Sequence, residues 1–311
     1  MFFLNKAGLL ICLAFFIFYF GLGALIFVSF GTPNNTNDFA FHLGKASGSF
    51  SPELAEVYSE STFENYPFLF HFIFSQLAFN PFLFYSGALV LICFIIPFLL
   101  FKLVKTGWVV LLYFMGVSLP HILIYGATFP QALVIVFLLT YFLFRKLDLG
   151  FFQRVIGWVL FAGLAGITHL SGFNLFLLVG FIEVVYFVLK ANAKIIKTYL
   201  AGFAVMAPSR LNTLPDLIVF FLTHINPLVF FFALKSREGF YLILGAASLL
   251  FAVNDLRIAS VLQICFILSA SPEISKLSRR KKGLIIFLLS LSLTWYLADL
   301  ALGSYKLAFF G

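Results

Sequence analysis

Asp38 and His42 stand four residues apart, so a helix over 38–46 would set a carboxylate and an imidazole on one face. That pair can handle a proton: the carboxylate is a candidate general base, and the imidazole can hydrogen-bond it or a bound phosphate. The same aspartate can instead cap a helix N-terminus by accepting backbone N–H bonds. Arg257 and Arg210 are candidate phosphate ligands, with Lys45 third, because a guanidinium presents two parallel donors to phosphate oxygens. An arginine at the end of a span is also a common interface anchor. The five histidines, His42, His71, His121, His169 and His224, lack metal-ligand spacing, and Cys12, Cys93 and Cys265 fall in apolar runs without a CxxC. Neither a metal centre nor a disulfide framework is expected. Glu183 lies within an apolar run, where a carboxylate must be protonated or paired.

The elements that position these residues follow from composition. Hydrophobic residues make up 62% of the 311-residue chain and charged residues 10%, against about 25% charged in soluble domains. The mean hydropathy of +1.08 exceeds what a soluble core absorbs, so the bilayer is the solvent. Runs such as 89–101 are apolar on every face. That excludes the alternation of a barrel and predicts helices of about 20 residues, enough to cross a hydrocarbon layer of about 30 Å. The 46 phenylalanines are read as lipid-facing and interhelical filler. The first apolar stretch, 8–30, is longer than a signal-peptide core and is read as a retained span.

The expected fold is all-α, a single transmembrane domain over 1–311 with about eleven spans (nine to eleven). They lie near 8–30, 82–101, 108–125, 129–144, 155–168, 173–190, 195–207, 216–234, 239–253, 258–271 and 284–303. With the N-terminus cytoplasmic, sixteen of the twenty Lys and Arg face the cytoplasm, leaving Lys45, Arg210, Arg257 and Lys306 outside with the C-terminus. This asymmetry is the positive-inside pattern. The net charge of +8 then points to an anionic leaflet and not to nucleic acid. The segment 66–79 is about 21 Å long as a helix, too short to cross, and is expected in the outer interface. It belongs to a first outer loop, 31–81, with juxtamembrane helices inside it. Five of the twelve acids, Asp38, Glu53, Glu56, Glu60 and Glu64, fall between 31 and 66.

Four motifs, in order, resemble the C-type (GT-C) membrane glycosyltransferases, in particular small members without a C-terminal soluble domain. Asn37-Asp38-Phe39-Ala40-Phe41-His42-Leu43-Gly44-Lys45-Ala46 is similar to the family's acidic first-loop motif. Tyr66-Pro67-Phe68-Leu69-Phe70-His71 resembles its Tyr-Pro-Pro-Leu-x-His helix, with Phe68 in place of the second proline. Tyr125-Gly126-Ala127-Thr128-Phe129-Pro130-Gln131-Ala132 and Gly166-Ile167-Thr168-His169-Leu170-Ser171-Gly172 stand where the family turns on its outer side. The resemblance covers roughly residues 8–190; beyond it only Asp255-Leu256-Arg257 fits the pattern.

What the resemblance implies is transfer of a sugar from a polyprenyl-phosphate donor to a glycan, lipid or protein acceptor on the non-cytoplasmic face. Asp38 and His42 would be catalytic, and Arg257, Arg210 and Lys45 would hold the donor phosphate. Tyr66, His71, Tyr125, Gln131 and His169 would line the substrate cavity. The family often pairs two acids in the first loop, whereas Asn37 precedes Asp38 here, so a divalent cation has no support and no cofactor is expected. A transporter and an accessory subunit of a membrane complex are the competing readings. A transporter would place its essential acid in mid-span, and an accessory subunit would have none.

Overall fold

A computed structural model describes residues 5–34, 37–189, 224–236, 239–251 and 259–302. Among them the chain is helical throughout, without a strand. Three helices are long and apolar enough to cross a membrane: Lys6–Phe30, Pro81–Val104 and Arg279–Ala298. Shorter apolar helices occupy Phe129–Arg145, Phe151–Gly166, Ser171–Tyr186 and Ser260–Ser275. The expected span 195–207, together with Arg210, Asp255, Arg257 and Lys306, lies outside the described residues. The chain divides into two compact units, residues 1–102 with 120–173, and residues 103–119 with 174–311.

In the first unit, Lys6–Phe30 is bounded by residues suited to its ends. Asn5 accepts a hydrogen bond from the Gly8 N–H at 2.8 Å, and Gly31 adopts φ 75° to close the last turn on the Phe27 carbonyl. Gly23 lets Pro81–Val90 approach closely: a Cβ there would stand 2.4 Å from the Tyr85 ring. The Tyr85 hydroxyl donates to the Tyr19 carbonyl at 2.9 Å. Leu10, Ile17, Leu25 and Val28 face outward from the same helix, as a lipid-bathed surface requires.

Between these two long helices the chain makes four short ones: Asn37–Ser47, Pro52–Ala55, Glu60–Asn65 and Leu69–Phe74. Ser51 caps one at the Leu54 N–H and Ser59 another at the Thr62 N–H. Pro67 keeps the chain extended at Tyr66, because the residue before proline is pushed out of the helical region. Leu69–Phe74 then runs into a 3₁₀ turn at Ser75–Leu77 and stops at Asn80. Asn80 caps Pro81–Val90 through the N–H groups of Phe82 and Leu83 at 2.9 and 3.2 Å. The 66–79 segment is thus shorter as a helix than the sequence suggests, and well short of a span.

The second unit departs from the sequence reading at 108–125, expected as one continuous span. Helix Trp108–Leu111 continues as a π-helix over Leu112–Gly116 and ends at Val117, which is extended at φ −140°, ψ 154°. Val117 forms an antiparallel bridge with Ile225. Pro120 explains the break: in a continuous helix its ring would collide with the Gly116 carbonyl, and it has no N–H to donate there. That carbonyl instead accepts from the Asn226 N–H at 2.8 Å, while the Ser118 N–H donates to the His224 carbonyl at 3.0 Å. Pro227 stands at the start of helix Pro227–Leu234, with Asn226 as its cap. Pro120 and Pro227 thus each stand in the first turn of a helix, and the backbone groups of Gly116, Ser118, His224 and Asn226 beside them satisfy each other.

Candidate functional site

The first unit gathers the residues singled out by sequence. Asp38 sits in the first turn of Asn37–Ser47, half-buried, where the exposed N–H groups of a helix start favour a carboxylate. Its Oδ1 accepts a hydrogen bond from the Tyr58 hydroxyl. His42, one turn along, is buried, and so is His71 from Leu69–Phe74. His42 Nδ1 and His71 Nε2 are 3.0 Å apart. His71 Nδ1 lies 3.1 Å from the Pro67 carbonyl oxygen, which can only accept, so Nδ1 carries the His71 proton. Burial pushes His71 down from 6.5 to about 4, against the pull of the Pro67 bond and with a smaller downward push from the Lys45 charge. It is neutral at pH 7.

Tyr66 stands at the centre. Its ring is edge-on to three imidazoles, with centroids 5.5 Å from His42, 5.4 Å from His71 and 5.9 Å from His169. His169 belongs to the turn before helix Leu170–Leu189. The Ser171 hydroxyl is 2.6 Å from His169 Nδ1 and 3.4 Å from Gln131 Oε1. The same turn binds the 66–74 segment through its backbone, Leu69 N–H to the Ile167 carbonyl at 3.0 Å. Asn34 reaches the Ile124 carbonyl, just before the other turn. The 31–66 segment, the 125–131 turn and the 168–172 turn therefore converge. In the second of these, Ala127 is held at φ 50°, a left-handed conformation that is uncommon for a residue with a Cβ.

Of the sequence-predicted residues, Asp38, His42, Tyr66, His71, Gln131 and His169 come together in this unit, and Tyr125 ends the helix Leu119–Tyr125. Lys45 is committed elsewhere: its ammonium donates to the carbonyls of Phe63 and Glu64, closing the end of Glu60–Asn65, and lies 5.0 Å over the Phe63 ring. Arg210 and Arg257 lie outside the described residues. Among the described residues no group of three His, Cys, Asp or Glu could hold a metal ion. Tyr58 was not singled out by sequence and Ser171 stood in its motif without a role, since a hydroxyl among turn residues carries no spacing signal.

The second unit holds a separate polar cluster at its backbone crossing. Ser118, His224, Asn226 and Gln263 are all buried. Ser118 Oγ is 3.0 Å from His224 Nδ1. Gln263 accepts from the Leu119 N–H at 2.8 Å and donates to Ser118 Oγ at 3.3 Å. Asn226 Nδ2 donates to the Ser292 hydroxyl at 2.6 Å. The signals for it were Ser118-Leu119-Pro120 and Asn226-Pro227, each a proline inside an apolar run. Compared with known protein families, curated proteins and solved structures, the chain matched none.

Proposed function

We propose that this chain is a polytopic membrane glycosyltransferase of the GT-C type, moving a sugar from a polyprenyl-phosphate donor to a glycan, lipid or protein acceptor. The reading takes the chain to cross the membrane nine to eleven times, N-terminus in the cytoplasm, with 31–81 on the far side. The observation that carries it is the convergence of Asp38, His42, Tyr66, His71, Gln131 and His169 from three separate stretches of chain. The acceptor oxygen bonds to the anomeric carbon, and the bond from that carbon to the phosphate oxygen breaks with its electron pair left on the phosphate. The acceptor's proton goes to the Asp38 carboxylate, which Tyr58 orients. Arg257 and Arg210 are the proposed ligands of the departing phosphate.

The test is sugar transfer from a synthetic polyprenyl-phosphate sugar by the purified chain in lipid, parent against Asp38→Asn. Asparagine keeps the size and an acceptor for Tyr58 but cannot take the proton, so the parent transfers and the variant does not. Parental rates from Asp38→Asn refute Asp38 as base.

A second reading, transport, is favoured by one observation: the helix that ends at the extended Val117 in the second unit, beside the buried Ser118, His224, Asn226 and Gln263. Discontinuous helices with buried polar residues are where secondary transporters bind their substrates. Solute uptake into vesicles that is lost in Gln263→Leu and kept in Asp38→Asn would establish it.

A further inference from the structure

We infer that the first turns of helix Arg279–Leu302 bind one anionic phospholipid, its phosphate between Arg279 and Arg280 and an acyl chain along the apolar stripe that follows. The inference rests on the membrane part of the proposed reading and not on its chemistry. The helix has two faces. Ile285, Leu289 and Tyr296 are buried; Leu289 lies against Gly116, and the Tyr296 hydroxyl is 3.4 Å from the Gly116 carbonyl oxygen. On the opposite face Arg280, Leu284, Phe287 and Leu291 follow one another at spacings of four, three and four, all exposed. That stripe belongs to Arg279–Ala298, long and apolar enough to cross a membrane, so acyl chains cover it. Arg280 stands one turn, about 5–6 Å, before Leu284. Helical side chains lean toward the N-terminus, which carries its guanidinium to the level of the lipid phosphates.

The charges at this end are not all satisfied within the protein. Lys276 pairs with Glu273 at 2.7 Å, and Lys282 donates to the Ser275 carbonyl at 2.6 Å. Arg279, Arg280 and Lys281 are exposed, and none of the three meets an acceptor among the described residues. They also crowd the end of the helix whose dipole repels cations. An anion between them offsets both the dipole and their mutual repulsion, whereas a zwitterionic headgroup, with no net charge, offsets less. Gly283 supplies the room. Four residues after Arg279 and three after Arg280, it neighbours both on the helix surface, and a Cβ there would meet nothing within 4 Å. A phosphate in that notch can take donors from both guanidinium groups.

The test is native mass spectrometry of the full chain from micelles holding phosphatidylglycerol and phosphatidylcholine with the same acyl chains, with thermal unfolding as the check on folding. The parent should retain one phosphatidylglycerol in preference to phosphatidylcholine. Arg279→Gln and Arg280→Gln should each lower that preference by about fivefold. The decisive variant is Gly283→Leu, which changes no charge, favours the helix and fills the notch; it should lose the preference as the arginine variants do. Equal retention of the two lipids by the parent overturns the inference. So does parental binding by Gly283→Leu beside loss in the arginine variants, which would leave only a diffuse attraction to an anionic surface. Displacement of the lipid by millimolar inorganic phosphate, or a dimer in place of the lipid-bound monomer, would overturn it as well. No sugar donor enters the measurement, so its failure would leave the transferase reading standing, and failure of sugar transfer would leave this site standing.

Discussion

The two polar clusters of this chain use similar residues for opposite purposes. In the first unit the side chains meet chiefly one another, with His71 also anchored on the Pro67 carbonyl and His169 on the Ser171 N–H: Tyr58 meets Asp38, His42 meets His71, and Ser171 meets His169. In the second, side chains and backbone repair a gap: Gln263 takes the Leu119 N–H, and Asn226 and His224 answer Gly116 and Ser118. A group that replaces a missing helical hydrogen bond is fixed by the fold, because a buried, unpaired backbone group costs about 1–3 kcal/mol. A pair that is not needed to complete the backbone is free to hold a protonation state. On the proposed function, the difference separates the proposed chemical centre from a structural joint that looks equally polar in sequence.

The largest expected effect lies in the first unit. Asp38→Asn should lower the transfer rate by about 10² to 10⁴ without changing thermal unfolding, because Asn remains an acceptor for Tyr58. Loss of folding in step with activity would make Asp38 a structural residue like those of the second unit. Next comes Gln263→Leu, which leaves the Leu119 N–H without its acceptor and takes one of two side-chain partners from Ser118. It should destabilise the chain by about 1–3 kcal/mol in detergent unfolding while the folded fraction transfers at the parental rate. Unchanged stability would mean that the crossing is not the joint described.

The pH dependence of stability sharpens the same contrast. His71 is lowered in the folded chain from 6.5 to about 4, so between these values the unfolded state binds the extra proton and folding is opposed. Stability should be complete above about pH 6.5 and fall as the pH drops toward 4. His71→Gln should flatten that slope. A melting curve that weakens instead as pH rises from 4 to 6.5 contradicts the assignment of His71 as neutral. The smallest effect is expected from the exposed Glu56, Glu60 and Glu64, whose replacement by Gln should leave both rate and melting unchanged within error. Topology has its own check. Phe79 is 78% exposed and Cys12, Cys93 and Cys265 are buried, so Phe79→Cys should react with an impermeant thiol reagent from the non-cytoplasmic side. Labelling only from the cytoplasm would invert the proposed orientation.

Much of this was legible in the residues. The helix Lys6–Phe30 follows from an unbroken apolar run, and the short 66–79 segment from Pro67 and Asn80-Pro81 at its ends. The meeting of Tyr66, His71, Gln131 and His169 was anticipated only through motif order. The break at Val117 was hidden because hydropathy counts Val117, Leu119 and Ile122 alike whether or not Pro120 interrupts the hydrogen bonding. The cost of that proline becomes visible only when the partner, Ile225, is found over a hundred residues away. Lys45, named in sequence as a third candidate phosphate ligand, also closes a helix end whose location depends on Ser59, a contact that position along the chain does not reveal. The pairing of His42 with His71 joins two short helices separated by a capped loop, and no local spacing encodes it.

On the proposed function the first cluster reacts and the second supports. This division is tested most directly by the transfer rate per folded molecule of Asp38→Asn and Gln263→Leu, measured side by side with one polyprenyl-phosphate sugar in the same lipid. The rate should be lower by about 10² to 10⁴ for Asp38→Asn and parental for Gln263→Leu. Parental transfer by Asp38→Asn together with loss in Gln263→Leu would contradict it and move the functional centre to the second unit.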